Sequence, residues 1–439
     1  FFLVFRFFPH KGSVCMHKRV LTIVISVGLA SFASGVSAAE SERLSLQEAL
    51  RLASRNNPRV VETRQEAEAA KGRWIQTRTL PNPEVEVSTT ELSQGLKGGS
   101  TVGDDSLSIS QEMDVLGKFW LRGRAGKAEY QAAQHTLERV WSEVAFDVTR
   151  AYNALLLSRQ QIGVSQEALE FTRRFLDQVQ LRHSAGEVRR NELLRAQIEV
   201  AKAENAVLQA EKQVTLDTAS LNILLGRDAT ASVIPSDELA YEPKDLDADR
   251  LLAQALDRRP DLKASDSLIQ ARKKQFQLAI HNILDNPTVT AIGTRERGEE
   301  RTAKVFGLAI TLPLPFWNQN QGAIREARAE LNKTEAERDA LRREVGLEVI
   351  SAIAEAQLAQ RQVTVWKTGI EQANELVRLA AQQYRDGDIN FLTYLEHLSA
   401  VKETKLAYIE ALANYRTQLA LVDQAVANTL VPDGKEARP

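Results

Sequence analysis

The chain has 439 residues, with 56 lysines and arginines against 58 aspartates and glutamates, and 43% of it is apolar. Balanced charge excludes a nucleic-acid binder that works through phosphate contacts, and the apolar content excludes a disordered chain. Cys15 is the single cysteine, so neither a disulfide framework nor a thiolate metal centre is available.

Residues 1–15 read as upstream translated sequence. Met16-His-Lys-Arg, the apolar run Val20 to Ala33 and the small residues Val36-Ser-Ala-Ala form the three parts of a secretory signal peptide over 16–39. The apolar run is short for a transmembrane anchor. Removing residues 1–39 leaves 52 basic residues against 58 acidic and no cysteine.

A first structural repeat is expected over 44–227. Ser45 and Glu48 have capping-box spacing at the start of a helix, and Pro58 opens a second helix that runs to about Leu80. Pro81-Asn-Pro83 stops it, and alternation then predicts strands at about 82–92 and 105–115, joined by a Gly-rich loop over 95–104. In the second strand Leu107, Ile109, Met113 and Val115 point one way and Ser106, Ser108, Ser110, Glu112 and Asp114 the other. Ten-residue strands of this kind fit a membrane barrel wall and equally a soluble hairpin on a core. A helical hairpin at about 118–226 follows, since no proline occurs between Pro83 and Pro235. Gly186 marks its turn, because glycine adopts the left-handed conformation freely. At 1.5 Å per residue its first helix would reach roughly 100 Å, a length suited to the space between two membranes.

A connector at 228–249 leads to a second repeat over 250–430. Pro260 stands in the place of Pro58, and strands are expected at about 286–295 and 304–315. Another proline-free helical hairpin, at about 320–428, turns at Gly387, 201 residues after Gly186. Ile324, Leu331, Val345, Ala352, Ala359, Trp366, Ala373 and Ala380 share one heptad register, broken by Arg338. A similar register through Leu398, Leu412, Leu419 and Val426 is broken by Lys405. Residues 431–439 form a tail. Both second strands run into aromatic pairs, Phe119-Trp120 and Phe316-Trp317, where a membrane-interface girdle would sit. Four strands cannot close a barrel, so membrane insertion requires an oligomer.

The order helix, helix, strand pair and long hairpin, twice over, resembles the TolC-type outer-membrane factors of tripartite efflux pumps. The motifs are Tyr384-x-x-Gly387 with Leu395, the copy around Gly186 with Leu193-Leu194, and the Asn-Pro strand openings. The junctions Gln111 to Lys118 and Leu312 to Gly322 resemble the cobalt–zinc–cadmium, heavy-metal branch. The resemblance implies a mostly α, internally duplicated chain with a β-barrel part. Three copies would close a twelve-stranded outer-membrane β-barrel, continued by a coiled-coil α-barrel through the periplasm. It also implies a Gram-negative outer-membrane location, a homotrimer, a periplasmic adaptor protein and an inner-membrane pump of the resistance–nodulation–division type.

Enzyme motifs are missing from the sequence, which argues against catalysis and a cofactor. His135, His183, His281 and His397 are scattered, and Met113 is the only methionine after the signal peptide, so no metal site is expected. The resemblance places Tyr384, Asp386, Gly387, Asp388 and Glu396 at the periplasmic entrance, with Tyr384 as a gate hydrogen-bonding residue. Ile389 stands where some relatives have a basic gate residue. A ring of the three acids would draw cations, though they also read as a solvated helix turn. Gly186, Glu187, Arg189, Arg190 and Glu192 at the first tip are adaptor-contact candidates or solvated charge. The expected function is an exit duct for heavy-metal cations. A duct for organic toxicants or polypeptide and a poreless coiled-coil tether are the alternatives.

Overall fold

A computed structural model of the chain describes residues 42–92, 102–297 and 301–428. The signal peptide, the tail and most of the Gly-rich loop lie outside the described residues. The elements run β1 (Glu42–Leu44), α1 (Leu46–Asn56), α2 (Pro58–Thr77), β2 (Glu84–Leu92), β3 (Val102–Glu112), α3 (Lys118–Ser184) and α4 (Arg190–Leu224). The same order follows in β4 (Val233–Pro235), α5 (Ala248–Arg258), α6 (Pro260–His281), β5 (Thr288–Arg297), β6 (Thr302–Thr311), α7 (Gln321–Asp386) and α8 (Phe391–Ala425).

Local chemistry sets the boundaries. Ser45 and Glu48 close a reciprocal capping box on α1. Asn57 caps α2 ahead of Pro58. β3 ends three residues before the expected Val115 because Asp114 turns away to cap α3, accepting from the Lys118 and Phe119 amides. β6 stops at Thr311 because Pro313 and Pro315 cannot donate to a ladder. Met113, Val115, Leu312 and Leu314 therefore lie beyond the strands.

β2, β3, β5 and β6 form one antiparallel sheet in that order. Val85, Val87, Leu107, Ile109, Val289, Ala291, Phe306, Leu308 and Ile310 share one face by register. This face is bare: Phe306 is 85% and Leu308 83% exposed. The Phe306 ring lies against Gly293, where a Cβ would meet it at 3.4 Å. The opposite face carries Glu84, Glu86, Ser88, Asp104, Ser106, Ser108, Ser110, Glu112 and Glu296.

Helices form a second layer. Away from the sheet the packing order is α4, α3, α8, α7; nearer the sheet it is α2, α3, α6, α7. The main core gathers Val148, Tyr152, Leu155, Leu221 and Leu225 with Val363 and Tyr415. A second core, around Val345, Val349 and Ala356, packs α5 and α6 on α7 and α8. Both breaks in the heptad register are satisfied by ion pairs to a neighbouring helix, Arg338 to Asp266 at 3.1 Å and Lys405 to Glu167 at 3.2 Å. Trp366 departs from the expected register: it is partly exposed and its ring lies over Gly369 one turn on. The parallel pair β1–β4, which ties the connector to the segment just before α1, was not expected from the sequence.

Candidate functional site

The two hairpin tips come together. At the first, Gly186 has φ 76° and its amide donates to the His183 carbonyl, while the Glu187 amide reaches the Arg182 carbonyl. His183 also closes the turn through Nδ1 to the Val188 carbonyl at 2.8 Å, a structural use of that histidine. At the second, Gly387 has φ 82° and the Asp388 amide donates to the Gln383 carbonyl at 2.9 Å. Asn390 then caps α8, accepting from the Thr393 amide at 3.0 Å. A left-handed residue with these paired amide bonds is the Schellman end of a helix, and it needs glycine at that position.

Aromatic rings join the tips. Tyr384 and Tyr394 stack at 5.1 Å with planes 9° apart. Phe175 of α3 meets Tyr384 at 5.7 Å, and Phe171 meets Tyr394 edge-on at 5.8 Å. Val179, Ala196, Ala380 and the half-buried Leu193, Ile389, Leu395 and Leu398 complete the cluster. Arg182 adds a polar tie. Its guanidinium bonds Glu187 at 3.2 Å, and that bond, with the Tyr384 hydroxyl beside it, holds Arg182 more firmly charged than usual. Tyr384 thus faces a base on the other hairpin, while Ile389 is absorbed into the apolar cluster.

Asp386, Gly387, Asp388 and Glu396 are exposed, as are Gly186, Glu187, Arg189 and Arg190, and Glu192 is half-buried. Tyr384 is the one candidate drawn into the cluster. Phe171, Phe175, Tyr394 and Arg182 were missed from the sequence, although Phe171 and Phe175 have the i, i+4 spacing of a shared helix face.

At the sheet-to-helix junction Phe316 and Trp317 pack edge-on, and Trp317 is 90% exposed. Arg124 lies 3.6 Å over the exposed Trp120 ring, next to Phe119. Lys118 is buried there and donates to the Leu284 carbonyl. Among the described residues no three His, Cys, Asp or Glu side chains converge to hold a metal, and no helix is long and apolar enough to cross a membrane.

A bare apolar sheet joined to long hairpins defines a class of channel proteins, and comparison identifies it. The chain belongs to the outer membrane efflux protein family, whose model matches residues 49–227 and again 251–428. It is 22% identical over 389 residues to the cobalt-zinc-cadmium resistance protein CzcC of Cupriavidus metallidurans, covering 87% of this chain and 89% of that protein. It is 25% identical over 334 residues to the toluene efflux pump outer membrane protein TtgF of Pseudomonas putida, covering 72% of this chain and 67% of that one. Its fold matches the CmeC outer membrane channel of Campylobacter jejuni with a TM-score of 0.73 at 17% identity, over 88% of this chain and 86% of that one. The protein is a TolC-type outer-membrane efflux channel, related to heavy-metal resistance members of the family.

Proposed function

We propose that three copies of this chain form the outer-membrane exit duct of a tripartite efflux assembly, and that its cargo is divalent heavy-metal cations. The observation that carries the reading is a matched set of open edges. β2 and β6 bound the sheet, and α4 and α7 bound the helix layer. Exposed apolar stripes run along both edge helices, Leu194, Ile198, Leu208, Leu216 and Ile223 on α4, and Leu347, Ile350, Leu358 and Val365 on α7. Such edges fit a head-to-tail interface, which closes into a ring. Two copies would give eight strands, a barrel filled by its own side chains; three give twelve and leave a lumen.

The apolar face then turns to lipid. Within β6 its apolar rows run from Phe306 to Ile310, and the exposed Leu312, Leu314 and Phe316 continue the apolar surface past the strand end toward the membrane interface. The lumen would be lined by Glu84, Glu86, Asp104, Glu112 and Glu296, with no lysine or arginine on that face among the described residues. That lining favours cations. The internal repetition of elements reads as a duplication, so each copy would contribute two hairpins to a periplasmic α-barrel. Its tips would meet an adaptor protein and, through it, an inner-membrane pump that supplies energy and selection.

The test is growth of a deletion strain on divalent metals and on organic solvents and dyes. Sensitivity to metals, restored by the gene, is expected. Sensitivity to organics alone would retain the duct and transfer the cargo to the class that the toluene-pump relative is named for.

A further inference from the structure

The apolar face of the sheet ends sharply on the side away from the helices. Its last apolar row is Val87, Leu107, Gly293 and Phe306; the next row on that face is Thr89, Asp105, Arg295 and Lys304. Arg295 and Lys304 stand directly opposite each other in the ladder, and both are exposed. Like charges in such a pair destabilise a sheet unless something neutralises them. Among the described residues neither is held in an ion pair, and Asp105, beside Arg295, has a contact of its own. On the other face at the same height stand Asp104 and Glu296. Of charged groups the far face thus carries acids alone at this height, while the apolar face carries both bases, with Asp105 as the one acid in their row.

We propose that Arg295 and Lys304 form a binding site for the phosphate of an outer-leaflet lipid headgroup. The inference rests on the barrel reading above. The apolar rows end at Phe306, and the basic row lies two residues further out, on the headgroup side of the band. Long basic side chains reach a headgroup while their stems lie on the apolar surface. Chemistry favours a phosphate: it is anionic, has several acceptors and sits at that depth, and a guanidinium beside an ammonium can share its oxygens. β6 is an edge strand, so the rival occupant is an acid of a neighbouring copy.

The experiment uses the full chain in nanodiscs of phosphatidylcholine alone, with a bis-phosphorylated acylated disaccharide, and with that glycolipid dephosphorylated. Retained glycolipid is read by native mass spectrometry. The wild-type protein should retain the phosphorylated form and not the dephosphorylated one. In R295Q/K304Q retention should fall about fivefold per side chain and about twenty-five-fold for the pair, with insertion and oligomer intact. R295K/K304R should restore it. Equal retention by R295Q/K304Q would overturn the proposal. So would loss of its oligomer in lipid-free detergent, which would assign the bases to the neighbouring copy. Failure of the wild-type chain to insert would reject the barrel reading itself, and this proposal with it.

Discussion

Asn57 donates through Nδ2 to the carbonyl of Leu224 at 2.7 Å, and Arg259, half a chain later, donates through Nη1 to the carbonyl of Ala425 at 3.2 Å. Each residue precedes a helix-opening proline, and each joins a returning hairpin helix end to end with a shorter one. The first joint is neutral. In the second, Arg259 pairs with Asp261 and Glu348, both at 2.7 Å. Burial works against its charge, and the two carboxylates more than offset it. The end of α8, where helix carbonyls gather partial negative charge, suits a cation.

Breaking the two joints should therefore differ. Asn57→Ala is expected to destabilise by about 1–2 kcal/mol, for a cap and one hydrogen bond. Arg259→Ala should lose about 3–5 kcal/mol, because it strands Asp261 without a counter-charge. Urea unfolding followed by circular dichroism measures both, and equal losses would remove the ion pair as the stronger joint.

Tyr152 makes stability sensitive to alkali. Its hydroxyl donates to the Leu44 carbonyl at 2.9 Å, and burial pushes its pKa from 10.0 up to about 12. The folded state holds the proton more tightly than the unfolded state. This contribution is thus complete below pH 10 and is lost as pH rises to about 12. Tyr152→Phe should be weaker by about 1–2 kcal/mol at neutral pH, with a flatter decline above pH 10. A decline of unchanged steepness would assign the alkaline loss to other groups.

At the tips, magnitudes separate the rings from the base. Arg182 is half exposed, so solvent screening limits its tie to about 1 kcal/mol or less. The buried Phe175 and Tyr394 each bring about 3 kcal/mol or more of packing. If the tips close the entrance, Tyr394→Ala should raise single-channel conductance far more than Arg182→Ala. The reverse order in planar bilayers would mean that the polar tie holds the gate.

Asp386→Asn with Asp388→Asn should lower cation over anion permeability, since both acids are exposed at the second tip. Reversal potentials in asymmetric salt report it. Unchanged permeability, followed by a fall on Glu84→Gln with Glu86→Gln, would locate the filter in the strand lumen.

Periodicity and punctuation made most of the architecture legible. Pro58, Pro260, Gly186 and Gly387 each act on the backbone of their own segment, and so they announce helix starts and turns locally. The sharp stops at Glu112 and Thr311 were harder, because alternation continues into Val115 and Leu314 while the deciding groups are Asp114 and two prolines. The β1–β4 pair joins segments about 190 residues apart and carries almost no pattern in three residues. The same reason hid the tip cluster. Tyr384 was visible through its motif, but Phe175 and Arg182 lie some 200 residues earlier and acquire meaning only once the hairpins lie side by side.

The unlike charge of the two tips has a consequence for assembly. At one tip Arg182 pairs Glu187, which leaves the exposed Arg189 and Arg190 beside the half-buried Glu192, and the other tip presents Asp386 and Asp388. Around the trimeric ring proposed above, the more basic and the acidic tips would alternate like the teeth of a keyed coupling. A docking protein would then find three equivalent seats rather than six, and a slip by one hairpin would set like charge against like. Rotational phase, as well as affinity, would be written into the rim.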